Sequence, residues 1–362
     1  MSIFINGFKD MSRFIITRFF HGIITMIIVV VLISALIYIA PVDPARLSFG
    51  QRSDVSAVEL KTKQLGLDQP LYRQMLFYLR DISPIAVVPV NKLNSNPYKG
   101  ISLIKTGDEK TLALKYPYLR ESFQSGRSVS DVLMQAVPKT ILLAFCAFII
   151  AIIIGIFLGV VAALKKDSWL DNIIVSFSVI GYSVPSYVSA IVLALVFGYW
   201  LKEVTGLNIQ GSLVELNDLG DEVIVWKNII LPAIALGVRP LAVIAQLTRS
   251  AFLDILNQDF IRTAKAKGLS FTDVVRKHAF RNSMNPVVTA VSGWLASLLA
   301  GAFFVENVFN YKGLGQLTVT ALLNYDIPVI LACVIFTSGV FIFINIMVDV
   351  VYKILDPKIQ LG

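Results

Sequence analysis

Apolar and polar positions alternate in this chain over whole segments rather than residue by residue. Six stretches, 14–39, 140–164, 173–200, 229–247, 287–308 and 329–351, stay apolar for about 20 residues each, the length at which a helix crosses the hydrocarbon of a bilayer. The first is too long for a signal peptide and carries no small-residue cleavage site. The pattern therefore predicts an all-α membrane protein with six transmembrane helices. It orders the chain as an N-terminal tail at 1–13, a first span at 14–39, an extracytoplasmic segment at 40–132, a five-helix domain at 133–351 and a tail at 352–362.

The long segment after the first span changes character along its length. Pro41 and Pro44 stop the helix, 55–65 has helical spacing, and Asp68-Gln-Pro70 turns into a further helix at 71–80. The stretch 83–117 changes character again, with Val87-Val-Pro-Val90 and Asn94-Ser-Asn-Pro97 ahead of 101–116. Apolar residues on both sides of the polar turn 106–110 predict a hairpin of 101–105 and 111–116, within a small extracytoplasmic insertion. A disordered linker is the alternative.

The polar connection at 248–285 is the most structured of the short loops. Its pattern predicts two short helices hinged at Gly268. Ser270 caps the second, and Asp273 three residues later completes a capping box. Phe271, Val274, Val275 and His278 fall on one face, with Arg276, Lys277 and Arg281 elsewhere. A short amphipathic helix held just outside a bilayer suits docking into a groove on another protein.

Charge fixes the expected orientation. The formal net charge is +8, and its short-loop share lies before the first span, after the second, between the fourth and fifth, and after the sixth. All of these fall on one side if both termini are cytoplasmic. The basic excess thus follows topology and does not indicate nucleic-acid binding. Cys146 and Cys333 both fall in predicted spans, where they read as small packing residues and leave the outer loops no disulfide.

Small residues recur at four-residue spacing. Ala147, Ala151, Gly155 and Gly159 line one face of the second span; Ser292, Ala296 and Ala300 lie beside Gly293, Ser297 and Gly301 in the fifth. Such faces let helix backbones approach closely, either as static packing or as surfaces that repack during transport. Gly181-Tyr-Ser-Val-Pro185 is expected to interrupt the third span, and Pro232 with Gly237 to Pro240 the fourth. Arg239 lies near the middle of the fourth, where a charge is costly and marks a functional position. It lines a hydrated path, pairs with Glu306 or Asp349, or is satisfied by carbonyls at the bend. Glu306 and Asp349 themselves read as helix-end pairing groups.

Strings in order along nearly the whole chain resemble the oligopeptide and dipeptide permease family of ABC importers. They are APVDPAR and LGLDQPLYRQ, SFQSGRSVSDVL, GYSVPSY, QLTRSAFLDILNQDFIRTAKAKGLS, RKHAFRNSMNPVVT, VENVFNYKGLGQL, NYDIPV and VDVVYKILDPKI. The resemblance implies a type I importer permease in a bacterial inner membrane, carrying peptides or similar solutes. It also implies three kinds of partner: ABC ATPase subunits, a second homologous permease and an extracytoplasmic solute-binding protein. The polar loop becomes the ATPase-coupling loop, with Arg262, Thr263, Ala264, Gly268, Ser270, Phe271, Val274 and Val275 as its working residues. General importers carry Glu-Ala-Ala where this chain has Arg262-Thr263-Ala264. The insertion at 83–117 departs from shorter members.

The sequence contains no GxxxxGK[ST] phosphate loop, so ATP and magnesium belong to partner subunits and no cofactor is expected here. HExxH, GxSxG and CxxC are absent as well, and two histidines make a metal or catalytic centre poorly supplied. A stand-alone ion-coupled transporter or channel, the alternative, needs ionisable residues deep in several spans, and only Arg239 qualifies.

Overall fold

The computed structural model describes residues 2–39, 56, 59–60, 62–63, 66–90, 100–105 and 110–355. The chain divides into two compact units. One is built on Pro138–Gln316 with the N-terminal part of the first helix and the C-terminal part of the last, the other on Phe20–Val137 and Leu317–Gly339.

In the second unit, helix α1 (Ser2–Ile39) contributes its later part, followed by α2 (Leu71–Ile82). Strands β1 (Ile85–Pro89), β2 (Gly100–Lys105) and β3 (Lys110–Lys115) form an antiparallel sheet in the order β1-β3-β2. Ile85 pairs with Leu114 and Gly100 with Lys115, and the β2–β3 register shifts between Ser102 and Ile104. The third strand, β1, went unread in the sequence because its short Val87-Val-Pro-Val run carries a proline. As the last strand residue on a sheet edge, Pro89 is tolerated. The turn at 106–109 and most of the helical stretch at 55–65 lie outside the described residues.

Ala86, Val88 and Ala113 bury the inner face of the sheet. Lys115, though a lysine, is 3% exposed and donates from Nζ to the Asp81 carbonyl at 2.5 Å. Burial pushes its pKa down. Asp81 is held by Arg120 at 2.9 Å. Nearby, Asp326 accepts from Ser122 Oγ at 2.5 Å and from the Phe123 amide at 3.0 Å. Val30, Tyr78, Phe123, Ile327 and Leu331 form this unit's apolar core.

The first unit is helical. Helix α3 (Val129–Leu164) continues into it, followed by α4 (Trp169–Ser183) and α5 (Ser186–Leu193), which runs on as a π-helix to Trp200. A two-stranded hairpin of β4 (Val214–Leu216) and β5 (Glu222–Ile224) precedes α6 (Ile230–Leu256). Next come α7 (Asp259–Ala266), α8 (Phe271–Asp273) with its π-helical extension Val274–Ala279, and α9 (Phe280–Val308). Helix α10 (Leu314–Leu323) starts in this unit and α11 (Ile327–Leu355) returns to it from Val340 onward. Leu143 and Ala147 of α3, Leu231 and Ala235 of α6, and Leu298, Ala302 and Val305 of α9 meet in the core with Phe309 and Tyr311.

Among the described residues four helices are long and apolar enough to cross a membrane, at Phe14–Leu36, Val129–Leu164, Trp226–Leu256 and Ile327–Val350. The expected third span is not one rod. Its halves, Trp169–Ser183 and Ser186–Trp200, meet at 111°. Pro185 has no amide hydrogen to continue the ladder, and Val184 before it is extended, as a residue preceding proline prefers. The expected break in the fourth span is absent. α6 runs unbroken through Pro240, and Pro232 sits in its first turn, where an amide hydrogen is not needed. Bulky side chains such as Ile153 and Phe157 of α3 stay exposed, the surface a bilayer would cover.

Candidate functional site

The polar loop is built from local rules. Helix α7 ends in a Schellman turn: the Leu269 amide donates to the Ala264 carbonyl at 3.3 Å and the Gly268 amide to the Lys265 carbonyl at 3.0 Å. Gly268 has a φ of 81°, the left-handed region that glycine enters without cost. Ser270 then caps α8, accepting from the Asp273 amide at 3.1 Å and donating to the Asp273 carboxylate at 2.7 Å. Lys277 reaches the same carboxylate at 2.9 Å. Those two hydrogen bonds, Lys277's first and Ser270's second, hold the Asp273 carboxyl below the usual carboxylate range.

The apolar face of this loop differs from the sequence expectation. Val274 is fully buried with Ile261, Ala264, Phe252, Ala163 and Ala279, and Val275 packs against that cluster. Phe271 is 58% exposed, with the Lys265 ammonium 6.0 Å from its ring. Val274–Ala279 is wound as a π-helix, which hydrogen-bonds each residue to the fifth along, so Val274 and Ala279 share the buried side. Val274 therefore anchors the loop to its own chain, while Phe271, Phe260 and Leu269 are the apolar side chains left facing out. Arg262 and Thr263 are exposed, and Ala264 is buried beneath them.

A second site lies where α4 bends into α5. A cavity of about 420 Å³ is lined there by Arg239 together with Tyr187, Trp294 and Phe304. The Arg239 guanidinium stacks on Tyr182 at 5.6 Å, and its Nε is buried with no hydrogen-bond partner. Neither Glu306 nor Asp349 pairs with it. Asp349 meets Arg18 at 3.5 Å. Glu306 is fully buried, accepting from Thr140 Oγ1 at 2.6 Å and from the Gly315 and Gln316 amides at 2.7 and 3.1 Å. It caps the start of α10 rather than pairing with a charge at a helix end.

Comparison with known proteins gives the family. A family model described as "Binding-protein-dependent transport system inner membrane component" matches residues 155–361, and the model of that component's N-terminal part matches 11–144. The chain belongs to this family. The glutathione transport system permease protein GsiC of Escherichia coli O6:H1 is 35% identical over 353 residues, covering 97% of this chain and 99% of that protein. The same protein from Escherichia coli K12 is 34% identical with the same coverage. An inward-facing structure of the MetNI methionine ABC transporter is 18% identical, covers 62% of this chain and 97% of its own, and has a TM-score of 0.50. That likeness speaks to fold alone.

The protein is thus the permease subunit of an ABC importer, a multi-pass membrane component of the kind that works with ATPase and binding-protein partners. In this permease Gly155, Gly159 and Gly237 are sites of backbone contact. A Cβ on Gly159 would lie 2.5 Å from the Ala245 carbonyl oxygen, and one on Gly155 2.9 Å from Ile244. A Cβ on Gly237 would lie 2.9 Å from the Ala147 carbonyl oxygen. Gly293 is exposed, and the surroundings of Gly301, Ser292, Ala296 and Ala300 lie outside the described residues. Sequence reasoning missed one close pair. Asp171, 2% exposed, receives Arg249 Nε at 2.6 Å and Nη2 at 2.7 Å, joining the start of α4 to the end of α6. Opposite charges at the polar ends of two apolar runs were the available signal.

Proposed function

We propose that this permease carries peptides or similar small solutes along a pathway it forms with a second, related permease. Six spans, counting the bent pair and α9, would leave both termini on one side, and the Lys and Arg of the short loops favour the cytoplasm for them and for the 248–285 loop. ATP hydrolysis takes place on separate subunits, since this chain has no phosphate loop. The similarity to glutathione permeases over nearly the full length supports a small peptide-like solute.

The observation that carries the proposal is the construction of the loop. Its cap, its Schellman turn and its buried Val274 fix two short helices, and fixed helices present Phe271 to a partner at little ordering cost. The test is Phe271→Asp in the assembled complex, with ATPase pull-down and solute uptake measured together. Placing an unpartnered carboxylate in an apolar contact costs several kcal/mol, roughly enough to lose docking. Normal pull-down with normal uptake would reduce the loop to a basic connector.

A further inference from the structure

The cavity at the α4–α5 bend carries chemistry that a passive conduit does not need. Among the described residues Arg239 is the only charged side chain lining it. Its Nε is buried and unpartnered, and among the described residues it enters no ion pair. A guanidinium in that state lacks an anion. Its position is fixed all the same, because stacking on Tyr182 holds the plane in place. Tyr182 is braced in turn by an edge contact with Trp294 at 6.5 Å.

Helix α5 adds a second positive element. It begins at Ser186, which lines the same cavity, and Pro185 before it supplies no side-chain cap. Its first amides are therefore available to an anion, with the positive end of the helix behind them. The rest of the wall is mostly apolar, Leu236 and Leu298 with two prolines and the Ser297 hydroxyl, and its aromatic part is Trp294 with Tyr187 and Phe304 at 6.2 Å from each other. Cation, helix start and aromatic wall together match a carboxylate attached to a compact organic body. They suit an inorganic ion poorly, since its whole surface needs polar partners.

We infer that this cavity is a carboxylate-recognition station on the solute path, where Arg239 and the start of α5 take the terminal carboxylate of a peptide against Tyr187, Trp294 and Phe304. The inference rests on the proposed peptide-importer reading and assigns the end of the solute that this subunit holds. It also gives the 111° bend a task, because a straight helix would not bring a helix start beside Arg239.

The test uses the assembled permease–ATPase complex without its binding protein, with Trp169, Trp200 and Trp226 changed to Phe so that Trp294 is this chain's one tryptophan, and the same complex carrying Trp294→Phe as well supplies the partner-subunit background that is subtracted. Tri-alanine and tri-alanine amide are titrated as probes. The free acid should change Trp294 emission saturably and bind about tenfold or more tighter than the amide, as loss of a charge-assisted hydrogen bond predicts. Arg239→Gln should bring the two probes to near equality. Equal binding of acid and amide in the parent complex, or no saturable response to the acid, overturns the inference. So does an Arg239→Gln complex that still prefers the acid. Should that variant not assemble, the acid–amide comparison in the parent complex decides alone. Uptake of tri-alanine by the complete system is measured in parallel. Absent uptake counts against the peptide-importer reading, whereas the emission ratio reports the site itself.

Discussion

Breaking the pair between Asp171 and Arg249 should give unequal losses from its two sides. Asp171 is 2% exposed and receives two short guanidinium hydrogen bonds, with only the Asp167 amide at 3.0 Å besides. Arg249 is 26% exposed, so water reaches part of it. Arg249→Met strands a buried carboxylate and should cost about 3–5 kcal/mol, the range for uncompensated buried charge. Asp171→Asn leaves a partly hydrated guanidinium and a neutral amide, and should cost about 1–3 kcal/mol. The double variant should recover part of the larger loss, giving a coupling energy of roughly 1.5 kcal/mol or more. Equilibrium unfolding in mixed micelles by SDS titration measures all three. An Asp171→Asn loss equal to or larger than that of Arg249→Met would refute the burial argument. Coupling near zero would show that the two groups do not depend on each other.

Gly268→Val should place a branched side chain at a φ of 81° and cost about 1–2 kcal/mol locally. Uptake and ATPase co-purification should fall, and Gly268→Asn should retain more of both, because asparagine tolerates the left-handed region; equal behaviour of the two variants would sink the explanation. Gly159→Leu should abolish assembly, since even its Cβ would overlap the Ala245 carbonyl, and a normal yield of folded complex would contradict the packing. An impermeant maleimide should label Ser270→Cys only from the cytoplasmic side and Asp218→Cys only from outside; external labelling of Ser270→Cys in intact cells would reverse the topology.

What could be read ahead of the structure was local. Ser270 and Asp273 lie three residues apart, and Gly268 ends a helix that no distant residue is needed to end. Long apolar runs announced α1, α3, α6 and α11 for the same reason. Pro185 marked a break without giving its angle, which depends on what α5 packs against. Val274 was drawn on one face with Phe271, and its burial against Ala163, Phe252 and Ile261 comes from helices distant in the chain that the loop packs on. Glu306 was invisible as a cap because its hydroxyl donor, Thr140, lies 166 residues earlier. Arg239 stood out as a costly charge, but the aromatic wall around it comes from α5 and α9 and is assembled only by folding.

The glycine contacts between α3 and α6 also bear on how this permease tolerates inherited change. At Gly159 and Gly237 the nearest obstacle to a new side chain is a carbonyl oxygen of the opposite backbone, which no substitution in the neighbour can trim. Most overpacked positions can be relieved by a smaller residue across the contact. These two cannot. A revertant screen begun from Gly159→Leu should return only true reversion to a small residue, with no compensating change at Ala245. At Gly155 the nearest atom is the Ile244 Cγ2 at 2.9 Å, with the Ile244 Cβ and the Leu241 carbonyl oxygen at 3.0 Å, so Ile244→Ala relieves Gly155→Ala in part. Neighbouring glycines one turn apart on α3 thus differ in their genetics: one has a partial second-site remedy and the other has none.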